Sequence, residues 1–294
     1  MDALLNSKFG LKIALAIASN TPPRLGYTLS RFITSLIAAR KGSALMQTLR
    51  QNQQRISSKT LSSNELDRAA KKTLQYSTRS VYDLYHNLNN LQSIDHLFVI
   101  EPSFKSMIHY PEPKGQGVII AGLHMVGFDL VIHWLVPHVI NPLILTIPNP
   151  EGGRALEFQR RTGMGIRLVP GSYKGVRDAI RFLGQGGIVV TGLDHPSPAF
   201  HPKLNFFGAP ADLPTHHIFL ALKARCPVVV AYSYLAEDGR YHVKASDPIE
   251  MDPYPNREDQ LRLNGEKVIA VAEGFIQQHP HQWLVFQPVW GESG

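Results

Sequence analysis

Short apolar runs alternate with segments of helical periodicity from about residue 115 to the C-terminus. The runs have the usual length of strands and occupy residues 117–122, 142–147, 166–169, 187–193, 228–235 and 241–246. The longer segments predict helices at residues 128–138, 152–162, 173–184, 214–225 and 260–278. Strands and helices that alternate in this way are typical of a sheet with helices on both faces. The pattern therefore predicts an α/β fold.

A different pattern precedes this region. Ser62 and Glu65 have the spacing of a capping box, and apolar positions then recur at helical spacing to about Leu88, which predicts one long helix. Two apolar patches lie closer to the N-terminus, Phe9 to Ala18 and Phe32 to Ala39, with a Pro-Pro break between them. Neither patch reaches the roughly 18 uncharged apolar residues of a membrane-spanning helix. Two short helices are therefore predicted.

The formal net charge of +7 is concentrated near the N-terminus. Residues 1–80 contain 13 Lys and Arg against three Asp and Glu, whereas the rest of the chain is nearly neutral. A basic arm predicts an anionic partner, either a lipid surface or a nucleic acid. Apolar helical faces and the lack of interleaved aromatic residues favour an anionic membrane surface and disfavour nucleic acid. The alternative is that these helices pack on the rest of the protein. We predict a basic, amphipathic membrane-interface segment at residues 1–60 and a globular domain at residues 61–294.

The first stretch that suggests chemistry follows the predicted strand 117–122. His124 comes directly after this strand, and Asp129 falls in the first turns of the predicted helix that follows. A histidine fixed at the end of a buried strand, with a carboxylate nearby to orient it, is a common way to build a general base. Gly122 and Gly127 give the backbone the freedom to bend between strand and helix. The alternative is a His and an Asp that share a loop without a function.

Two arginines end the predicted helix 152–162. Arg160 and Arg161 precede a glycine-rich turn that leads into the next strand. An arginine in this place can bind a phosphate or a developing oxyanion through charge-assisted hydrogen bonds. Equally, the two arginines can offset the helix dipole beside a glycine cap. The local sequence leaves both interpretations open.

Asp194 ends another apolar strand, as His124 does. Ligand sites in open α/β sheets lie beyond the carboxyl ends of the strands. If the two strands are parallel, Asp194 and His124 share one edge of the sheet. Asp194 can then contact His124 or bind polar groups of a substrate, and the alternative is a carboxylate that caps a turn.

Paired aromatic residues follow further along the chain. Phe206 and Phe207 precede Gly208, and Pro214 then opens a predicted helix. Aromatic side chains beside a helix N-terminus are typical of the wall of an apolar pocket. The alternative is a loop that belongs to the core.

The sequence lacks patterns for several other chemistries. It has no H-E-x-x-H motif, cysteine cluster or EF-hand, so no metal is predicted. It has no G-x-S-x-G elbow or Walker A loop, and no dinucleotide fingerprint follows a strand, so no cofactor is predicted. The single cysteine, Cys226, excludes a disulfide framework and is interpreted as a core residue.

Taken in this order, these stretches resemble the lysophospholipid acyltransferase superfamily, and within it the bacterial lipid A biosynthesis acyltransferase family. That family includes acyltransferases of phosphatidylinositol mannosides. The resemblance runs from about residue 25 to the end. The matching motifs are His124 with Asp129, an arginine at 160 or 161, Asp194, Phe206-Phe207-Gly208 with Pro214, and Pro280-His281-Gln282-Trp283. The sequence departs from many members in having Asp as the acid and no predicted spanning helix, which favours the mannoside-type branch.

The resemblance implies a glycerol-phosphate acyltransferase-like fold with a mixed, largely parallel sheet. It also implies an O-acyltransferase that moves a fatty acyl group from acyl-CoA or acyl carrier protein to a hydroxyl of a membrane glycolipid or phospholipid. His124 would be the general base, oriented by Asp129 or Asp194. Arg160, Arg161, Phe206, Phe207, Gly208 and Pro214 would contact substrates. The expected location is the cytoplasmic face of the cell membrane, as a peripheral or monotopic protein. The alternatives are a non-catalytic lipid-binding protein of the same fold and a hydrolase of acyl thioesters or lipids.

Overall fold

The computed structural model describes residues 16–87, 94–110, 116–138, 142–146, 158–159, 161–163, 165–196 and 202–291. The strands are β1 (Phe98–Ile100), β2 (Val118–Gly122), β3 (Leu143–Thr146), β4 (Arg167–Pro170), β5 (Ile188–Gly192), β6 (Leu204–Phe206), β7 (Ala209–Ala211), β8 (Val228–Leu235) and β9 (Tyr241–Ala245). The helices are α1 (Pro23–Ala38), α2 (Ala44–Ile56), α3 (Ser63–Asn87), α4 (Pro102–Ile108), α5 (Phe128–His138), α6 (Tyr173–Gly184), α7 (His216–Ala224) and α8 (Arg257–Gln278).

Seven strands form one mixed sheet in the order β1-β9-β8-β2-β5-β3-β4. Strands β2, β3, β4, β5 and β8 are mutually parallel, whereas β9 pairs antiparallel with β8, and β1 pairs parallel with β9. Strand β2 is central and has β5 and β8 as its neighbours. Gly122, the last residue of β2, is in register with Gly192 of β5 and Ala231 of β8. Whatever follows β2 and β5 therefore emerges at the same edge of the sheet.

Helices cover both faces of this sheet, as the alternating pattern predicts. Helices α4 and α5 and the end of α3 pack on one face, around side chains such as Phe104 and Leu130. Helices α6, α7 and α8 pack on the other face, around Ala179, Leu220 and Ile269. The buried strands are continuous apolar runs because both of their faces are covered. The predicted fold class, an α/β fold with a mixed and mostly parallel sheet, is confirmed.

Most of the predicted elements are present with small changes in their ends. The six predicted strands occur within one or two residues of their expected positions, and α5 and α6 have the predicted bounds. The predicted helix at 152–162 lies mostly outside the described residues. Strand β1, helices α2 and α4 and the β6–β7 hairpin were not predicted. Except for α2, each has only three to seven residues and shows no clear period in so short a stretch.

The long helix α3 begins at the predicted capping box. Glu65 Oε2 accepts a hydrogen bond from the Ser62 N–H at 2.8 Å, and the Glu65 N–H donates to Ser62 Oγ at 3.4 Å. These two bonds satisfy backbone donors that have no partner within the helix. The prediction of a helix from about residue 62 to residue 88 is confirmed by α3.

Helix α1 packs against the end of α3 through small and polar residues. Gly26 lies against the ring of Tyr82, and the hydroxyls of Thr34 and Thr78 are hydrogen-bonded at 2.8 Å. The predicted break at residues 21–24 is present, since α1 begins at Pro23. Within the described part of the chain, no helix combines the length and the apolar character needed to cross a bilayer.

Candidate active site

His124 and Asp194 meet at the carboxyl edge of the sheet, where β2 and β5 end side by side. Asp194 Oδ1 lies 2.6 Å from Nδ1 of His124, and the backbone N–H of His124 donates to Asp194 Oδ2 at 3.0 Å. The Asp194 side chain is completely buried, whereas 29% of the His124 side chain is exposed. With Asp194 ionised, Nδ1 carries the shared proton and Nε2 is the basic nitrogen.

A C-terminal segment closes over this pair. We call residues 280–285 the C-terminal clasp. The indole N–H of Trp283 donates to Asp194 Oδ2 at 2.7 Å, and Trp283 forms an antiparallel bridge with Met125. The N–H of Leu284 donates to the carbonyl of His124 at 2.7 Å, and the N–H of Val126 donates to the carbonyl of Gln282 at 2.9 Å. The clasp therefore fixes both the histidine backbone and the buried carboxylate.

The clasp is itself held from two sides. The Gln282 side chain accepts from the Leu235 N–H at 2.7 Å and donates to the Leu235 carbonyl at 3.0 Å, which ties the clasp to the end of β8. From α2, the buried side chains of Asn52 and Gln53 donate to the carbonyls of Val285 and Pro280, each at 3.0 Å. The N-terminal part of the chain thus reaches the site indirectly, through α2.

Two glycines make room for residues 123–127, which connect β2 to α5 and which we call the histidine loop. A Cβ atom on Gly192 would lie 2.8 Å from Cε1 of the His124 ring, closer than carbon atoms normally approach. Gly127 has a φ of +80° and packs against the ring of Tyr241, where a Cβ would lie 2.5 Å from Cδ1. Its N–H donates to the hydroxyl of Ser80 on α3 at 3.0 Å. The backbone between β2 and α5 therefore needs glycine at position 127, in agreement with the sequence-based expectation.

The electrostatics of the pair suit a base. Burial disfavours the imidazolium form of His124, but the charge and hydrogen bond of Asp194 outweigh burial and raise the pKa above its ordinary value of 6.5. Asp129 adds to this rise, and Arg161 opposes it. Burial also opposes the ionisation of Asp194, yet His124 and the Trp283 indole together lower the pKa of that carboxyl. Asp194 is therefore ionised at neutral pH, in spite of complete burial.

Asp129 occupies the predicted place in the first turn of α5 but has a different partner. Its Oδ1 accepts a hydrogen bond from Nη2 of Arg161 at 2.6 Å, and 46% of the Asp129 side chain is exposed. Of the two carboxylates considered for His124, Asp194 makes the contact, and Asp129 holds an arginine beside the site. Arg160 lies outside the described residues.

The aromatic segment forms a hairpin. Phe206 is completely buried, with its ring 5.9 Å from that of Trp283, and Phe207 and Gly208 make the tight turn between β6 and β7, with φ values of 48° and 74°. Pro214 precedes α7 and is buried. The buried Phe206 ring therefore packs against Trp283 of the clasp and does not line an open surface. The role of this segment in binding a substrate stays a prediction.

A small apolar cavity lies between α5 and the sheet. Gly122 and Phe128 contribute to its wall, and the Phe128 ring also packs on the His124 ring at a centroid distance of 4.7 Å. The cavity measures about 30 Å³, roughly enough for two water molecules.

Sequence reasoning did not identify Trp283 and Gly192 as parts of this site. The Pro-x-Gln-Trp element was visible as a family motif, so Trp283 could have been suspected, but no spacing links it to Asp194. Gly192 lies two residues before Asp194, and only the register of β2 with β5 brings it against His124. Both residues act through tertiary contacts.

The fold and this arrangement define a class of protein. A buried Asp holds a partly exposed His at the carboxyl edge of an α/β sheet, and such a pair can take a proton from a hydroxyl group or from water. A family model for bacterial lipid A biosynthesis acyltransferases matches residues 102–292. The chain belongs to this family, which makes it an acyltransferase of lipid biosynthesis. No curated protein gives a significant match to the sequence.

Proposed function

We propose that the protein transfers a fatty acyl group from a thioester, acyl-CoA or acyl carrier protein, to a hydroxyl of a membrane glycolipid or phospholipid. Family membership supports acyl transfer, and the resemblance supports an acceptor similar to a lipid A precursor or a phosphatidylinositol mannoside. The observation that carries the chemistry is the hydrogen bond of 2.6 Å between His124 and the buried Asp194.

In the proposed reaction, Nε2 of His124 takes the proton of the acceptor hydroxyl. At the same time, the oxygen of that hydroxyl bonds to the carbonyl carbon of the thioester. The tetrahedral intermediate then collapses, the carbon–sulfur bond breaks, and the leaving thiolate receives the proton from His124. Asp194 stabilises the imidazolium that forms between these two steps and keeps the ring in one tautomer. General base catalysis of this kind contributes about 10²- to 10⁴-fold to the rate. The products are an ester and a free thiol.

Arg161 is the proposed anion-binding residue. Asp129 orients its guanidinium, and the positive charge of the guanidinium acts to lower the pKa of His124. A guanidinium beside the base can attract a phosphate of either substrate or the oxyanion of the intermediate. Asp129 would then act through Arg161 and not through the imidazole.

A radiolabelled transfer assay tests the proposal. The purified protein is incubated with [14C]palmitoyl-CoA alone, with a lipid A precursor, and with a phosphatidylinositol mannoside. Transfer to one of the lipids supports the proposal. Release of palmitate that needs no acceptor would indicate a hydrolase, and an unchanged thioester would indicate a binding protein without activity.

Variants of two histidines sharpen this assay. His124→Ala is expected to abolish transfer without changing the melting temperature by more than a few degrees. His242→Ala is the matched control, because His242 of β9, two strands away from β2, also pairs with a carboxylate, that of Glu101 at 2.9 Å. If His124→Ala transferred the acyl group as fast as the control, the assignment of the base would be wrong.

We further infer that α1 contacts the membrane surface. Its large apolar side chains point outward: Leu25 and Phe32 are each 60% exposed, Leu36 is 52% exposed and Ile33 is 41% exposed. The positions 25, 32, 33 and 36 fall on one side of the helix, and the small residues that pack on α3 lie on the side next to it. Exposed apolar side chains grouped in this way mark a binding surface.

The charge beside this face fits an anionic bilayer. Arg24 and Arg31 are exposed on α1, and Arg40 and Lys41 follow its end. A helix with an apolar face and basic neighbours lies in the membrane interface, with each basic residue near the surface contributing about 1 kcal/mol. Each large side chain moved from water into the interface adds roughly 1.5–3 kcal/mol at most. The sum is enough for reversible binding at the membrane surface.

Vesicle sedimentation tests this placement. Phe32→Asp/Leu36→Asp is expected to lose most of its binding to vesicles that contain phosphatidylglycerol. Thr28→Asp/Ser35→Asp introduces the same charge at exposed polar positions of the same helix and should retain most of the binding. Equal loss in both variants would mean that charge alone governs binding, and salt-sensitive binding to DNA in place of vesicles would favour nucleic acid.

A further inference from the structure

The indole N–H of Trp283 makes a buried hydrogen bond to the carboxylate that touches His124. Its Nε1 lies 2.7 Å from Asp194 Oδ2, and Trp283 and Asp194 are 1% and 0% exposed. The other carboxylate oxygen receives the ring N–H of His124 at 2.6 Å. The carboxylate therefore lies between the indole and the imidazole, and each of its oxygens faces one ring.

We propose that Trp283 is a positioning residue for the general base. Its N–H fixes the rotation of the Asp194 carboxylate and stabilises the carboxylate charge, so that Oδ1 stays in line with His124 Nδ1. The inference rests on the proposed role of His124. Trp283 acts through Asp194 and is assigned no contact with either substrate.

The surroundings hold the indole in one orientation. Its ring packs edge-on against Phe206 at 5.9 Å and against Trp290 at 6.2 Å, and its backbone is bridged to Met125 in the histidine loop. A donor held by packing loses little entropy when it bonds, which makes it an effective support for a site.

Without the indole N–H, the Asp194 carboxylate would be left with His124 alone. Oδ2 would keep only the backbone N–H of His124 at 3.0 Å, and Oδ1 would keep the ring N–H at 2.6 Å and the same backbone N–H at 3.2 Å. An ionised carboxylate has about four lone-pair sites, and a hydrogen bond to a buried charge contributes more than one between neutral groups. The carboxylate would then be held from the His124 side only, and its charge would be less stabilised.

The loss has a defined effect on titration. When His124 is neutral, the His124–Asp194 pair carries a net negative charge, and the indole stabilises this state more than it stabilises the imidazolium–carboxylate state. Removing the N–H therefore raises the pKa for protonating the pair. Among the residues that the structure describes, the other charged or titratable groups that face the pair are Asp129, Arg161 and His195, and the His195 ring lies 5.5 Å from that of His124. All three are unchanged in the variants below.

Two substitutions at position 283 separate the hydrogen bond from the packing. Trp283→Phe removes the N–H and part of the ring, whereas replacement with 3-benzothienylalanine keeps the two-ring shape and exchanges only the N–H for sulfur. Trp134→Phe is the matched control, because it also removes an indole N–H that is bonded to a carboxylate. That indole donates to Asp95 Oδ1 at 2.8 Å and not to Asp194.

Two measurements are made on each variant. The first is the NMR titration of the His124 ring, assigned with His124→Gln, which needs no substrate. The second is the transfer of palmitate from palmitoyl-CoA to a lipid A precursor or a phosphatidylinositol mannoside. Both position-283 variants are expected to lower kcat about ten- to a hundredfold at an unchanged KM for palmitoyl-CoA. Both should move the His124 titration to higher pH.

The control should match the wild-type protein in both measurements. If the benzothienylalanine protein showed wild-type kcat and a wild-type His124 titration, the inference would be overturned, whether or not Trp283→Phe folds. A fully active His124→Ala variant would remove the proposed function instead, and the NMR titration would still report on the indole–carboxylate bond.

Discussion

Gly192→Ala places one methyl group against the ring of His124. The added Cβ would lie 2.8 Å from Cε1, 3.6 Å from Nε2 and 3.7 Å from Nδ1. Carbon atoms at rest are about 3.5–4.0 Å apart, so the ring must retreat by roughly 0.7–1.2 Å. Phe128 packs on the same imidazole at a centroid distance of 4.7 Å, which limits where the ring can go.

The displacement has a larger effect on catalysis than on stability. A shift of about 1 Å at a reacting group costs on the order of 10²-fold in rate, whereas overpacking one methyl group costs about 1–3 kcal/mol of unfolding free energy. We therefore expect Gly192→Ala to lower kcat for palmitoyl transfer about a hundredfold. The melting temperature should fall by only a few degrees.

The measurement compares two Gly→Ala variants in the radiolabelled transfer assay and in thermal unfolding. Gly274 lies within α8, and a Cβ at this position meets no atom within 4 Å. Gly274→Ala should keep full activity and gain about 1 kcal/mol of helix stability. A folded Gly192→Ala protein with kcat within twofold of the wild type would show that the position of the ring does not limit the reaction.

Three further results are expected. The pH profile of kcat/KM should have an acid limb with its midpoint above pH 6.5, because His124 must be neutral to act and its pKa is raised. Asp194→Asn should move this acid limb to lower pH and reduce the rate at least a hundredfold. If the two side chains act as one unit, Asp129→Asn and Arg161→Met should each lower kcat/KM about tenfold, and the double variant should lower it no further. Additive losses would show that the two side chains have separate roles. The buried His217 has no hydrogen-bond partner among the described residues, and burial lowers its pKa to about 3. As the pH falls below 6.5, this histidine is protonated in the unfolded chain before it is protonated in the folded protein, so the wild-type protein loses stability. Between pH 6.5 and 4.5, urea unfolding should show that the unfolding free energy of His217→Leu falls by about 1.4 kcal/mol per pH unit less than that of the wild type, and equal slopes would contradict this.

The sequence supports a prediction of the sheet edge but not of the contacts on it. His124 and Asp194 each follow a buried apolar run, and parallel strands place such residues together, so their proximity could be expected from the pattern alone. Which of Asp129 and Asp194 contacts His124 could not be predicted in this way. It depends on the orientation of the first turn of α5 relative to the imidazole. Asp129 is near His124 in sequence, yet its carboxylate reaches Arg161.

The clasp shows why the rest of the site was not predictable. Trp283 is 89 residues from Asp194 in sequence, and their contact requires that β8, the clasp and the histidine loop be assembled first. No periodicity encodes an indole that donates to a carboxylate. The motif around Trp283 was recognisable only through the resemblance, and its physical role appears only in the tertiary structure.

Helix α3 supports both the histidine loop and the helix that we assign to the membrane. On one side, Ser80 receives the N–H of Gly127 in the histidine loop. On the other side, the buried carboxylate of Asp83 accepts hydrogen bonds from Tyr27 of α1 at 2.8 Å and from Tyr241 at 2.6 Å, and Tyr241 packs on Gly127. Helix α1, with its apolar face, and the histidine loop are therefore both held by direct contacts with helix α3. A lipid acceptor stays in the bilayer, so an enzyme that binds it there needs its base at a constant distance from the membrane surface, and these contacts on α3 are a means of keeping that distance.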